Sequence, residues 1–232
     1  MRNIWAIVVG IVFVGGIGVT LSEFVGGDDP PPRPPPVVTA DAGSQMTPLP
    51  SGNVGEIKIA DDDLVMGRKD APVTVVEYAS LTCPHCARFH TEVLPTLKTE
   101  FVDTGKVRLV YRDFPLDQLA LTAAMVAHCA GRDAFFGFID TFYAAQSGWS
   151  RANNPLVALA RMARLGGMGQ DDFDACLKNQ AVADKIIEQR LEGEKTFGVN
   201  ATPTLFVNGD KYSGGLTLEQ FRAVVAPMLN KS

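Results

Sequence analysis

The sequence has no cluster of lysine or arginine: 21 basic residues are scattered among 26 acidic ones, for a net charge of -5 over 232 residues. A phosphate-binding face needs concentrated positive charge, so nucleic acid is excluded as a partner. No internal repeat is visible. Cysteine is scarce, four residues in all, and two of the four lie close together in Cys83-Pro84-His85-Cys86. What is missing around that pair excludes most of its uses. A c-type haem requires histidine directly after the second cysteine, and position 87 is alanine. A zinc site requires two further ligands, ordinarily a second close pair; Cys129 and Cys176 each stand alone, and His85 and His90 are weak candidates. A structural disulfide across two intervening residues would barely constrain the unfolded chain. Redox catalysis is the use that remains.

What is present, with 46% hydrophobic residues, suffices for one good-sized core plus appendages. Residues 4–21 are 18 consecutive uncharged residues, preceded by Arg2 and followed by Glu23, Asp28 and Asp29. That length just reaches across a bilayer, and the positive side stays cytoplasmic. Residues 1–24 therefore read as an N-terminal membrane anchor with its N-terminus inside. A cleaved signal is the alternative, but the nearest small-x-small site, Val38-Thr39-Ala40, lies far beyond the apolar run. Either reading exports the remainder of the chain to a compartment where disulfides persist. Residues 25–54 carry the tract of Pro30 to Pro36, broken only by Arg33, and read as a disordered Pro-rich linker.

The folded part is expected over 55–232. Residues 71–80 are rich in β-branched side chains and read as a buried strand. The segment after the cysteines has helical spacing through Phe89, Val93, Leu94 and Leu97, with a kink expected at Pro95. Residues 106–114 form a second strand, which makes a βαβ unit with the cysteines at the strand-to-helix corner. From about 116 to 197 the pattern is helical, with Asn154 and Pro155 opening one helix and Gly198 closing the block. Strand character returns at 204–214 around Asn208-Gly209, a hairpin signal, and Thr217 with Gln220 makes a capping box for a last helix. The order is βαβ, helical block, ββα.

At that corner the Cys83 sulfur meets the unpaired N–H groups and partial positive charge of a helix N-terminus, which favour a thiolate. Pro84 occupies an early helical position where its missing N–H costs nothing, and His85 can add a donor or a positive charge. Cys86, one turn further in, is the resolving thiol.

Cys83-Pro84-His85-Cys86 at this corner, in this order of elements, resembles the DsbA family of thiol:disulfide oxidoreductases over residues 55–230. The resemblance implies an α/β, thioredoxin-like fold with an all-helical insertion between the βαβ and ββα halves. It implies that Thr202 and Pro203 form a cis-proline loop facing the sulfurs, with Thr202 offering main-chain hydrogen bonds to an added substrate strand. It also implies that Glu77 is a buried acid that tunes Cys86 or relays protons to it, the alternative being a strand-end carboxylate reaching solvent. Some family members carry a second, non-catalytic disulfide. In an exported domain Cys129 and Cys176 are expected to be joined in that way, two buried thiols being the alternative. His90, His128 and the aromatic run Phe135, Phe136, Phe138, Phe142 and Tyr143 read as packing residues.

By the same resemblance the redox centre is the cysteine pair itself, with no other cofactor and no metal. The substrates are unfolded or reduced exported proteins, the location is periplasmic or otherwise extracytoplasmic, and reoxidation falls to a membrane partner, a DsbB-like quinone-linked oxidase or its equivalent. The Pro-His dipeptide favours a disulfide-forming oxidase, which demands a Cys83 pKa well below 8. Thr202, where the best-known member has Val, points to a reductase or isomerase as the alternative. A peptide-binding, chaperone-like module is the alternative of a different class.

Overall fold

The computed structural model describes residues 47–230. The expected anchor at 1–24 and residues 25–46 of the expected linker lie outside the described residues. Among the described residues no helix is long and apolar enough to cross a membrane.

The core strand is β3 (Val73–Ala79), and all but one of its residues are buried. Strands covered on both faces tolerate a continuous apolar run, which is how this segment reads. β3 lies parallel to β4 (Val107–Asp113), from Val73 opposite Val107 to Ala79 opposite Asp113. On its other side it pairs antiparallel with β5 (Thr204–Val207), which turns into β6 (Asp210–Ser213). The turn uses Asn208 and Gly209 at φ of 47° and 89°, the positive values that this two-residue hairpin requires. A side chain on Gly209 would also collide with the Gly55 carbonyl.

Two strands escape the sequence reading. β2 (Leu64–Met66) pairs antiparallel with β4, and β1 (Gly52–Asn53) pairs antiparallel with β6, giving the sheet order β1-β6-β5-β3-β4-β2. The linker boundary at 54 is therefore corrected: main-chain pairing with Lys211 and Asp210 recruits Gly52 and Asn53 into the sheet without any apolar pattern of their own.

A helical stretch over 84–102 covers one face. Its α-helical parts, α1 (Pro84–Arg88) and α2 (Leu94–Leu97), alternate with π-helical turns at Phe89–Val93 and Lys98–Val102. Pro95 lies in the first turn of α2, so the π turn before it takes the place of the expected kink. Phe89, Leu94, Leu97 and Phe101 pack with Val73, Val75, Val107 and Leu109, and with Phe221, Val224 and Val225 of α9 (Leu218–Leu229). Thr217 and Gln220 form the expected capping box.

The helical insertion comprises α3 (Gln118–Cys129), α4 (Arg132–Ala144), α5 (Gln146–Ser150), α6 (Pro155–Leu165), α7 (Gln170–Cys176) and α8 (Gln180–Lys195). Asp117, Asn154 and Asn179 accept from the main-chain N–H groups of Ala120, Val157 and Val182 at three of its helix starts. Its core joins Phe135, Phe138, Phe142, Tyr143 and Trp149 to Cys83 and Cys86 in one cluster. Cys129 and Cys176 are joined in a disulfide linking the ends of α3 and α7, with Cα atoms 6.0 Å apart.

Two glycines separate packing from propensity. A Cβ on Gly193 of α8 would lie 2.6 Å from the Tyr78 ring, which is held edge-on by Phe114 and Phe206 and bonded to Arg112 at 2.9 Å, so it cannot yield. A Cβ on Gly137 of α4 meets nothing within 4 Å. Gly193→Ala is expected to destabilise the protein by about 1–3 kcal/mol through overpacking. Gly137→Ala is expected to stabilise it by about 0.5–1 kcal/mol through helix propensity. Urea unfolding of the two variants checks the opposite signs.

Candidate active site

β3 ends at Ala79 and the chain turns once before α1, the Cys83 N–H donating to the Ser80 carbonyl at 3.0 Å. Cys83 is the N-cap of α1 and Pro84 follows at its first position. Cys83 is 5% exposed and Cys86 is fully buried; both are free thiols in this structure. The Thr202-Pro203 peptide is cis, as the resemblance implies, and the Cys83 thiol donates to the Thr202 carbonyl at 3.2 Å. CxxC and cis-proline loop are thus in direct contact although they are 119 positions apart.

The two sulfurs differ electrostatically. The Cys83 pKa falls from about 9 to about 5, chiefly because the Cys86 thiol donates to its thiolate. The Thr202 hydroxyl and the main-chain N–H groups of Cys86 and His85 act in the same direction, against the cost of burial. In the dithiol state the Thr202 hydroxyl, also buried, makes no well-directed hydrogen bond. The sulfur likewise takes no full cap hydrogen bond from the helix. His85 contributes through its main chain, and the residue itself is exposed. Cys86 is pushed the other way, well above the ordinary thiol range, by burial first and then by the Cys83 sulfur and the Glu77 charge.

Glu77 does not reach solvent. It points from β3 toward the 84–102 stretch, is fully buried, and both its carboxylate oxygens lie 3.1 Å from His90 Nε2. His90 is thereby corrected from a packing residue to the partner of the buried acid, which is what makes a carboxylate tolerable there. His128, the other histidine read as packing, is 2.7 Å from the buried carboxylate of Asp113. Gln146 was missed. It opens α5 and its side-chain amide donates to the carbonyls of Leu81 and Cys83 at 2.8 and 2.9 Å, so the insertion clamps the CxxC loop. Thr82 adds a second tie, donating to Asp117 at 2.7 Å. No sequence pattern marks such a role for a lone glutamine; only the packing of α5 over the loop reveals it.

A CxxC at a strand-to-helix corner, facing a cis-proline across a sheet of this order, defines a thioredoxin-fold dithiol protein. The family model described as "Thioredoxin" matches residues 60–226, and the chain belongs to that family, in its DsbA-like branch. The crystal structure of α-DsbA1 from Wolbachia pipientis is 33% identical, with a TM-score of 0.71, over 75% of this chain and 94% of that one. A Rickettsia bellii relative, provisionally named a protein-disulfide oxidoreductase, is 35% identical over 153 residues, which are 66% of this chain. The match spans 59% of that relative's length. The structure of BdbD from Bacillus subtilis, at 21% identity and a TM-score of 0.68, covers 77% of this chain and 98% of that one and shares the fold.

The depressed pKa has a direct readout. Alkylation of the reduced protein at Cys83 is expected to reach half its limiting rate near pH 5, and to vanish in Cys83→Ser. A midpoint at 8 or above would overturn the thiolate assignment. The thiolate also links stability to pH. A group whose folded pKa lies below its unfolded value contributes stability that is present above the unfolded pKa and lost as pH falls through the folded one. The reduced protein is therefore expected to gain stability over Cys83→Ser as pH rises from about 5 toward 9. Urea midpoints of both at pH 5 and pH 8 measure the gain.

Proposed function

We propose that the chain is an exported thiol:disulfide oxidoreductase that introduces disulfides into substrate proteins. The observation that carries this reading is the asymmetry of the two sulfurs, one a thiolate at neutral pH and the other a protonated, buried thiol. Such a pair favours its reduced form and therefore gives its disulfide away. With a pKa of about 5, the thiolate is stabilised at pH 7 by about two units of 1.36 kcal/mol, or about 2.7 kcal/mol. That is on the order of 60 mV for a two-electron couple.

The catalytic groups are Cys83 and Cys86, with Pro84 and His85 shaping the helix start and Glu77 serving proton transfer at Cys86. A substrate thiolate attacks Cys83 of the oxidised pair; the Cys83–Cys86 bond breaks and Cys86 leaves, taking up a proton. The substrate's second thiolate then attacks its own sulfur in the mixed disulfide. Cys83 departs as the thiolate and the substrate keeps the new bond. Thr202 and Pro203 line the place where the substrate strand lies. The substrates are reduced or unfolded exported proteins, and the cysteine pair is the only redox group used. Two electrons remain on the enzyme after each turnover. Their acceptor is a membrane partner, DsbB-like and quinone-linked or equivalent, to which residues 4–21 as an anchor would keep the domain close on the periplasmic side.

A glutathione redox titration of the Cys83–Cys86 pair decides the direction. A potential on the order of 60 mV above the roughly -270 mV of thioredoxin is expected. A value at or below roughly -270 mV would make the protein a reductant served by an electron donor, the direction toward which Thr202 points.

A further inference from the structure

The thiol-exchange reading leaves one difficulty, and the groups behind Cys86 answer it. Cys86 is fully buried and its thiol holds its proton strongly, yet in every cycle it must lose that proton and regain it. A sulfur with no exposed surface has no adjacent solvent to take that proton. The Glu77 charge acts on Cys86, and Glu77 is in turn held by His90 through both carboxylate oxygens. His90 follows Cys86 by four positions, across α1 and into the π turn at Phe89–Val93, and both side chains are buried.

The surroundings of His90 are unusual for a packing residue. Its ring stacks on Tyr143 with centroids 4.2 Å apart and meets Tyr111 edge-on at 5.8 Å. These two phenols are bonded to each other at 3.1 Å, and burial holds both well above their ordinary pKa, so they remain neutral. Beyond Glu77 and the two phenols, Asp140 of α4 lies within electrostatic reach of His90. Lys98 acts on the same Asp140. The Nδ1 atom of His90 is buried and has no hydrogen-bond partner. Imidazole with one nitrogen turned to a carboxylate and the other unengaged has a second ring position at which a proton can be held.

We propose that His90 is the positioning residue for proton transfer at Cys86, holding Glu77 toward the sulfur and exchanging the proton that Glu77 passes. This rests on the thiol-exchange reading but not on its direction. When Cys86 attacks a mixed disulfide on Cys83, its proton goes to the Glu77–His90 pair, the Cys86–Cys83 bond forms and the outgoing thiolate leaves. In the opposite step the pair returns the proton to the Cys86 thiolate as the disulfide opens.

Reaction of the reduced full-length protein with dithiobis(nitrobenzoate) separates the two sulfurs. The Cys83 thiolate attacks the reagent and releases one thionitrobenzoate; Cys86 then attacks Cys83, breaks its bond to the reagent and releases a second. The first release reads Cys83 and the second reads proton loss from Cys86. His90→Gln keeps a side-chain donor for Glu77 but cannot carry the proton. It is expected to leave the first release unchanged and to slow the second about 100-fold at pH 7, the lower end of general-base assistance. In the wild-type protein the second release is expected to level off below the pH at which a buried thiol would itself ionise. Wild-type speed in the variant overturns the proposal, as does equal slowing of both releases, which marks a packing defect. A wild-type second release that climbs tenfold per pH unit through pH 9 overturns it without any variant. Neither readout depends on the redox potential, so the proposal and the oxidase reading fail separately.

Discussion

The burial of Cys86 beneath Cys83 is the constraint on which the rest of the site depends. A thiol without access to water stays protonated, and a protonated thiol is a hydrogen-bond donor; Cys86 is the largest cause of the low Cys83 pKa. One sulfur becomes nucleophilic because its neighbour is denied solvent. The cost of that arrangement appears behind the pair, where a carboxylate, an imidazole and two phenols are enclosed in the core. They are tolerable there because the carboxylate is held at both oxygens and the phenols bond to each other.

Burial of this kind needs a roof, and the helical insertion supplies it. Cys83, Cys86 and the aromatic side chains of α4 and α5 belong to one apolar cluster. Gln146 and Asp117 tie the insertion to the CxxC loop at three hydrogen bonds, so the insertion sets the loop's position as well as its cover. The disulfide between Cys129 and Cys176 holds the far ends of α3 and α7 together, on helices of the same roof.

The features legible in the sequence are those governed by local chemistry. The strand at 71–80, the hairpin at Asn208-Gly209, the caps at Asn154 and Thr217 and the CxxC at its corner all follow from side chains acting on their own backbone. β1 and β2 were not legible because they are two and three residues long and owe their conformation to the strands they join. The partnership of Glu77 with His90 spans 13 positions and depends on how the 84–102 stretch lies on β3, which no periodicity reports. Gln146 reaches back 63 residues for the same kind of reason.

The two short edge strands carry a consequence of their own. A sheet edge presents unsatisfied N–H and C=O groups to any extended chain, and a protein whose proposed substrates are unfolded polypeptides would meet such chains continually. Here β6 is covered by β1 and β4 by β2, each too brief to template a long foreign strand. Unproductive sticking at the rim is thereby discouraged, which under the proposed function would leave the cis-proline loop as the place for an incoming polypeptide to pair.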